Sequence, residues 1–245
     1  FIFNGADTGN NNGISVGSAG DINGDGKGDL IVGSPGANKS AGQSYVLYGF
    51  SDVLNFYVAD ISGDGKADIL QRDTLTGENN FIQTDGSIST IPSVENTEWE
   101  IKKVIDISGD GKSDILWRNS VTGENAIWQM DGANVISYDF IPTLEDIDWE
   151  IEATADFNGD GKSDILWRNG ITEENAIWQM DGANVTSYDF TNELDSNWTV
   201  AGVGDINGDN QADIFWQNYI TQENTVWYMD GNTVSSTNMI STEVG

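Results

Sequence analysis

Residues 106–140 read DISGDGKSDILWRNSVTGENAIWQMDGANVISYDF, and residues 156–190 repeat them almost letter for letter as DFNGDGKSDILWRNGITEENAIWQMDGANVTSYDF. The opening nine letters recur three more times, as DINGDGKGD from Asp21, DISGDGKAD from Asp60 and DINGDNQAD from Asp205. The five starts lie 39, 46, 50 and 49 residues apart. Self-similarity at such a period marks an array of one supersecondary unit, which buries its apolar faces only against its neighbours.

Within a period, apolar and polar residues alternate with a two-residue rhythm broken by turn residues, as half-buried strands do. In the third copy this predicts strands near 99–106, 113–119, 124–130 and 134–140. Turns fall at the GDG loop, at Val121-Thr122-Gly123 and at Asp131-Gly132. Four short antiparallel strands in a repeat of about 50 residues make a β-propeller blade. A β-solenoid and a sandwich fit less well, because solenoid coils are shorter and sandwiches do not repeat their side chains. The expected architecture is all-β: one propeller domain over 1–245 with five blades, their strand 1–2 loops starting near 21, 60, 106, 156 and 205. The 39-residue first interval is about one strand short. By register, Phe1–Asn4 matches an outer strand, which is expected to complete a blade, close the ring and cover an exposed edge. The rival reading is a piece of a larger ring.

Composition narrows the function. Ten Lys and Arg face 40 Asp and Glu, a formal charge of −30. Such a charge opposes compaction unless something neutralises it, and it repels phosphate backbones and anionic membranes. Lys27, Lys66, Lys112 and Lys162 sit inside the recurring loop, and Arg72, Arg118 and Arg168 share one position after it, so no basic patch for nucleic acid can be assembled. Histidine and cysteine are absent. Imidazole bases, histidine-dependent triads, thiolate metal sites and disulfides are thereby excluded. No apolar run approaches the roughly 18 residues of a membrane span. The chain opens at Phe1 without a leader, as a processed product or a fragment would.

The loop carries oxygen donors at its first, third, fifth and ninth positions. These are Asp21, Asn23, Asp25 and Asp29; Asp60, Ser62, Asp64 and Asp68; Asp106, Ser108, Asp110 and Asp114; Asp156, Asn158, Asp160 and Asp164; and Asp205, Asn207, Asp209 and Asp213. The seventh position (Lys27, Lys66, Lys112, Lys162, Gln211) contributes its main-chain carbonyl, since a lysine side chain cannot ligate a cation. Clustered hard oxygens on a glycine-kinked turn suit Ca²⁺ better than Mg²⁺, which demands a stricter octahedron. An EF-hand is excluded, because its twelfth position needs an acid and this chain has Val32, Gln71, Trp117, Trp167 and Trp216 there. About five Ca²⁺ ions are expected, moving the formal charge from −30 to −20.

These residues resemble the FG-GAP/VCBS repeat family, the blades of the integrin α-subunit head and of many bacterial surface proteins. The first copy, GISVGSAGDINGDGKGDLIVGSPG from Gly13 followed by GQSYVLYG from Gly42, looks integrin-like. Copies three to five, with ILWRN or IFWQN followed by IWQMDG or VWYMDG, look like the bacterial form. The second copy departs, with Gln71 and Ile82 where its neighbours carry Trp. The resemblance implies a propeller with calcium in the strand 1–2 loops, secreted or at the cell surface of a bacterium. It also implies adhesion, ligand binding or lectin activity towards a glycan or an extracellular protein.

Nine tryptophans recur at three repeat positions: Trp99, Trp149 and Trp198; Trp117, Trp167 and Trp216; Trp128, Trp178 and Trp227. Large aromatics at such sites fill inter-blade cores, and the alternative is a set of platforms that stack on sugar rings. The chain is expected not to be an enzyme, because nearly every clustered acid is committed to a loop. An accessory module of a polysaccharide-active enzyme and a self-associating brick of a surface assembly are the competing readings.

Overall fold

The computed structural model describes residues 15–20, 22, 28–34, 43–50, 54–83 and 85–240. Over 15–50 only Ile22 and Ile31 have described side chains, both exposed. The strand expected at Phe1–Asn4, and with it the closure of a ring, lies outside the described residues.

All described regular structure is β. A three-stranded sheet contains β1 (Ser15–Gly20), β2 (Gly28–Ser34) and β3 (Gln43–Phe50) in that order. Four four-stranded sheets follow, each a simple meander. The second sheet is β4 (Leu54–Ala59), β5 (Asp68–Asp73), β6 (Asn79–Ile82) and β7 (Ile88–Ile91). The third is β8 (Trp99–Ile105), β9 (Asp114–Asn119), β10 (Asn125–Asp131) and β11 (Asn134–Ile141). The fourth is β12 (Trp149–Ala155), β13 (Asp164–Asn169), β14 (Asn175–Asp181) and β15 (Asn184–Thr191). The fifth is β16 (Trp198–Gly204), β17 (Asp213–Asn218), β18 (Asn224–Asp230) and β19 (Thr233–Ile240). In the third sheet the four strands fall within a residue of the spans expected from alternation. Among the described residues the first sheet has three strands.

The turns are made by residues that bond to their own backbone. Between the second and third strands, Asn119 Oδ1 accepts the N–H groups of Val121 and Thr122, both at 2.9 Å, and Asn169 and Asn218 repeat the arrangement. Such Asx turns close a hairpin without help from neighbouring elements.

Two compact units divide the chain: 1–104 with 111–115 and 128–138, and 105–110 with 116–127 and 139–245. In the second unit, β13 is buried at all six residues, so it does not read as half-buried. The alternation persists, but both faces meet apolar partners. Ile165 and Trp167 join a cluster with Ile107, Leu116, Ile127 and Trp178, whereas Leu166 joins Phe157, Ile177, Ile214 and Trp216. A strand covered on both faces needs apolar residues at successive positions, hence the run Ile-Leu-Trp.

A second constraint sits near the end of the second strand in the second, third and fourth sheets. Arg118 is buried, and its Nη1 donates to Gly123 O at 2.9 Å and Asn125 Oδ1 at 3.1 Å. Its Nη2 donates to Leu144 O and Asp146 O, both at 3.3 Å, and its guanidinium lies 5.1 Å from the Trp167 ring centre. Arg168 repeats the pattern with Glu173 O, Asn175 Oδ1, Leu194 O and Asp195 O, stacked 5.2 Å over Trp216. In the first unit Arg72 binds Gly77 O, Asn79 Oδ1, Val94 O and Trp99 O. Burial pulls the pKa of all three arginines down, yet a planar fork on four acceptors keeps the charge solvated. Each arginine thereby ties its own hairpin to the segment leading to the next sheet. Arg118→Lys keeps the charge but not the fork, and is expected to lower stability by about 2–4 kcal/mol, read from the urea midpoint.

Candidate functional site

Among the described residues, the strand 1–2 loops from Asp60, Asp106, Asp156 and Asp205 are each organised by their first aspartate. Asp60 Oδ1 accepts the N–H groups of Gly63 at 2.7 Å and Asp64 at 3.1 Å, and Oδ2 accepts that of Gly65 at 2.8 Å. Asp156 binds Gly159, Asp160 and Gly161 in the same way, and Asp205 binds Gly208, Asp209 and Asn210. Asp106 accepts from Gly109 at 2.7 Å and Asp110 at 3.2 Å. The tight curl needs a left-handed residue at the sixth position. Gly65, Gly111 and Gly161 have φ between +79° and +85°, and Asn210, the substitute in the fifth copy, has +68°.

The ninth aspartate is the most enclosed. Asp68, Asp114, Asp164 and Asp213 are 0–2 % exposed. Asp164 Oδ2 accepts Phe157 N–H at 3.0 Å and Oδ1 accepts Met180 N–H at 2.9 Å, so one carboxylate joins the loop to the third strand. Asp213 does the same with Ile206 and Met229, and Asp114 Oδ1 binds Met130 N–H. The fifth-position carboxylates Asp64, Asp160 and Asp209 each accept the N–H of the seventh residue at 2.9 Å. At the third position, Asn158 and Asn207 accept from Asp160 and Asp209 N–H, while Ser62 and Ser108 place hydroxyls there.

Seventh-position side chains take up other contacts. Lys112 Nζ pairs with Asp131 at 2.7 Å and Lys162 Nζ with Asp181 at 2.5 Å, while Gln211 Oε1 accepts Gly231 N–H at 2.9 Å. Lys66 pairs with Asp64 at 2.8 Å. In the first loop, Asp21, Asn23, Asp25 and Lys27 lie outside the described residues, and Asp29 is described only as backbone on β2.

Among the described residues no three acidic side chains converge on one point, because the carboxylates turn to amides of their own loop. The donor set itself fits a calcium ion: carboxylates at three positions, an amide or hydroxyl oxygen and a carbonyl, with no nitrogen or sulfur ligand. Electrostatics point the same way. Burial, reinforced by the charges of Asp160 and Asp156, pushes Asp164 up to about 6; burial, with the charges of Asp64 and Asp60, also raises Asp68. Carboxylates that raise one another's pKa favour a cation among them.

The sign of the Asp164 effect is testable. A folded-state pKa above the unfolded value contributes stability that is full below about pH 4 and lost as pH rises through about 6. In chelator, Asp164→Asn is therefore expected to flatten the stability change between pH 4 and pH 6 by about 2–3 kcal/mol, measured by urea titration at each pH.

A second feature lies in the second unit, away from the loops. A cavity of about 290 Å³ is lined by Trp149, Trp167, Trp178, Tyr188 and Phe190, with Leu144 and Thr143 beside them. The β14–β15 register sets Trp178 opposite Tyr188 and Ala176 opposite Phe190. Trp167 and Trp178 stand 5.0 Å apart, Trp149 and Phe190 6.0 Å. The tryptophans are buried, whereas Tyr188 and Phe190 are 69 % and 59 % exposed. In the third sheet Tyr138 lies 5.1 Å from Trp128, and Phe140 follows two residues later. The fifth sheet has Thr237 and Met239 at the same register positions, and the second has Ile88 and Thr90. The full aromatic set thus belongs to the third and fourth repeats. The tryptophan triplets were visible in the sequence, but the outer-strand Tyr and Phe that complete the cavity were missed; their recurrence as SYDF was the available signal.

No curated protein sequence matches the chain. Among solved structures, an Agrocybe aegerita lectin that recognises non-reducing terminal N-acetylglucosamine aligns with a TM-score of 0.67 at 17 % identity, covering 94 % of this chain and 66 % of the lectin. Virginiamycin B lyase from Staphylococcus aureus aligns with a TM-score of 0.50 at 8 % identity, covering 89 % and 68 %. The Photorhabdus luminescens Tc holotoxin pore gives 0.55 at 14 % identity, over 92 % of this chain and 12 % of that one. At these identities the likeness concerns the fold. Family models are more specific: residues 12–47 match the FG-GAP repeat, and 106–167 and 156–216 match the FG-GAP-like repeat. With more than half of its length so matched, and four of its described sheets built as four-stranded meanders around the recurring loop, the chain belongs to the FG-GAP repeat family.

Proposed function

We propose that this chain is a calcium-binding, non-catalytic β-propeller that works outside the cell as a binding or adhesion module, with a glycan as its ligand. The observation that carries the reading is the pairing of a repeated all-oxygen loop with a separate aromatic cavity. Loops that recur with one donor set supply rigidity, and the cavity supplies a surface that uncharged rings can stack on. Asp21, Asn23, Asp25, Lys27 and Asp29, with their counterparts in the other four loops, are the proposed ligands, and a five-bladed ring is the proposed closure. Extracellular modules of this kind work with Kd values of about 10⁻⁴–10⁻³ M, which suits millimolar calcium outside a cell.

A glycan suits the cavity for three reasons. Its lining is almost wholly aromatic and aliphatic, its volume is that of a small ligand rather than a helix or strand, and the net charge of −30 disfavours anions. The lectin with the similar fold binds a terminal N-acetylglucosamine, which supports the class without defining the sugar. Self-association is a second reading, favoured by the exposed Ile136, Tyr138 and Phe140 on the outer strand β11.

Two outcomes are expected. Chelation with EDTA lowers the Tm, each filled site being worth about 2.7 kcal/mol at a hundredfold excess of calcium over Kd; a melt that ignores EDTA counts against the loops as metal sites. On a glycan array the protein binds in calcium, and Tyr188→Ala combined with Phe190→Ala weakens that binding at least tenfold without altering the melt. Binding unchanged by the double substitution removes the cavity from the reading, and sedimentation as a calcium-dependent oligomer that binds no glycan favours self-association.

A further inference from the structure

Among the described residues, the second to fifth loops are joined in sequence through single peptide units. The N–H of the eighth residue of one loop donates to the carbonyl of the first residue of the loop before it. Ser113 binds Asp60 O at 2.7 Å in the first unit, and Ser163 binds Asp106 O at 3.2 Å and Ala212 binds Asp156 O at 2.7 Å in the second. The peptide that carries this N–H has as its other end the carbonyl of the seventh residue, Lys112, Lys162 or Gln211, which is the main-chain donor assigned to the cation. One peptide plane therefore belongs to two loops at once.

A second tie runs beside the first. Gly132 and Gly182, in the third-to-fourth-strand turns, donate to the second-residue carbonyls Ile61 O at 3.1 Å and Ile107 O at 3.2 Å of the preceding loops. The seventh side chains also lie over the preceding loop: a Cβ on Gly63 would stand 2.8 Å from Lys112 Cγ, and one on Gly159 would stand 3.4 Å from Gln211 Cγ.

Resting on the calcium reading above, we propose that the loops fill as a nearest-neighbour cooperative row, ligation at one loop raising the affinity of the loops on either side. Drawing electron density from a peptide carbonyl makes its N–H a stronger donor, as in any hydrogen-bonded chain. Here that donor holds the main chain of Asp60, Asp106 or Asp156, whose side chains are the first ligands of the preceding loop. A loop held in place by its neighbour also has less conformational entropy to lose. By linkage the coupling acts equally in both directions.

The test is a CaCl₂ titration of the full ¹⁵N-labelled chain, following the sixth-position amides Gly65, Gly111, Gly161 and Asn210 as one reporter per loop. Asp209→Ala removes a ligand from the fifth loop and none of the inter-loop hydrogen bonds. It is expected to weaken calcium binding at Gly161 about fivefold or more, with a smaller shift of the midpoint at Gly111 and the smallest at Gly65. Gln211→Ala keeps every ligand carbonyl and removes the side chain over Gly159 together with the hydrogen bond it accepts from Gly231 N–H; it is expected to narrow the effect of Asp209→Ala on Gly161. An unchanged Gly161 midpoint in Asp209→Ala overturns the coupling while leaving calcium binding intact. A uniform shift of all reporters overturns it as well, since that is general destabilisation. Absence of any calcium response at all four amides sinks the calcium reading itself, and the coupling with it.

Discussion

In the fourth and fifth repeats a buried carboxylate with two backbone partners holds the loop to its sheet. Asp164 and Asp213 have no exposed surface, and each accepts one N–H from its own loop and another from the third strand. A carboxylate removed from water is tolerated only when its oxygens are satisfied, and these two are satisfied from different elements. The loop is thus bolted to the sheet rather than hung from it. The cost of that bolt is visible in the pKa of Asp164, which burial and its loop neighbours raise to about 6.

The second strand of each meander carries the other half of the architecture. In the fourth sheet its side chains enter different clusters on alternate faces, so every residue is core. The arginine near its end then reaches across a hairpin to the segment leading to the next sheet, with a tryptophan beneath the guanidinium. Loops and outer strands are consequently free to carry binding chemistry on a rigid support, the usual division of labour in β architectures.

Loop and cavity vary separately along the chain. The second sheet keeps its aspartate loop and Arg72, yet has Gln71 and Ile82 where the tryptophans stand elsewhere. The fifth sheet keeps the tryptophans, with Trp216 and Trp227 5.0 Å apart, but has Thr237 and Met239 on its outer strand. The loop aspartates are therefore common to the described four-stranded sheets, whereas the arginine gives way to Gln217 in the fifth and the aromatic set is confined to the third and fourth repeats.

The sequence by itself determined the repeat, the four-stranded meander and the oxygen-rich loop, because these depend on local properties: two-residue alternation, Asx and glycine turns, and donor spacing along one short segment. Alternation placed the strands of the third sheet to within a residue. It did not reveal that β13 is covered on both faces, since burial of the second face comes from a neighbouring sheet about 50 residues away. The four-acceptor grip of Arg118 was equally hidden, because Leu144 O and Asp146 O reach it only when the chain has turned back. The sharing of one peptide by consecutive loops likewise exists only in space: Ala212 and Asp156 are distant in sequence, and packing of one repeat on the next brings them to 2.7 Å. Local rules write each repeat, and contacts between repeats decide what the repeats do to one another.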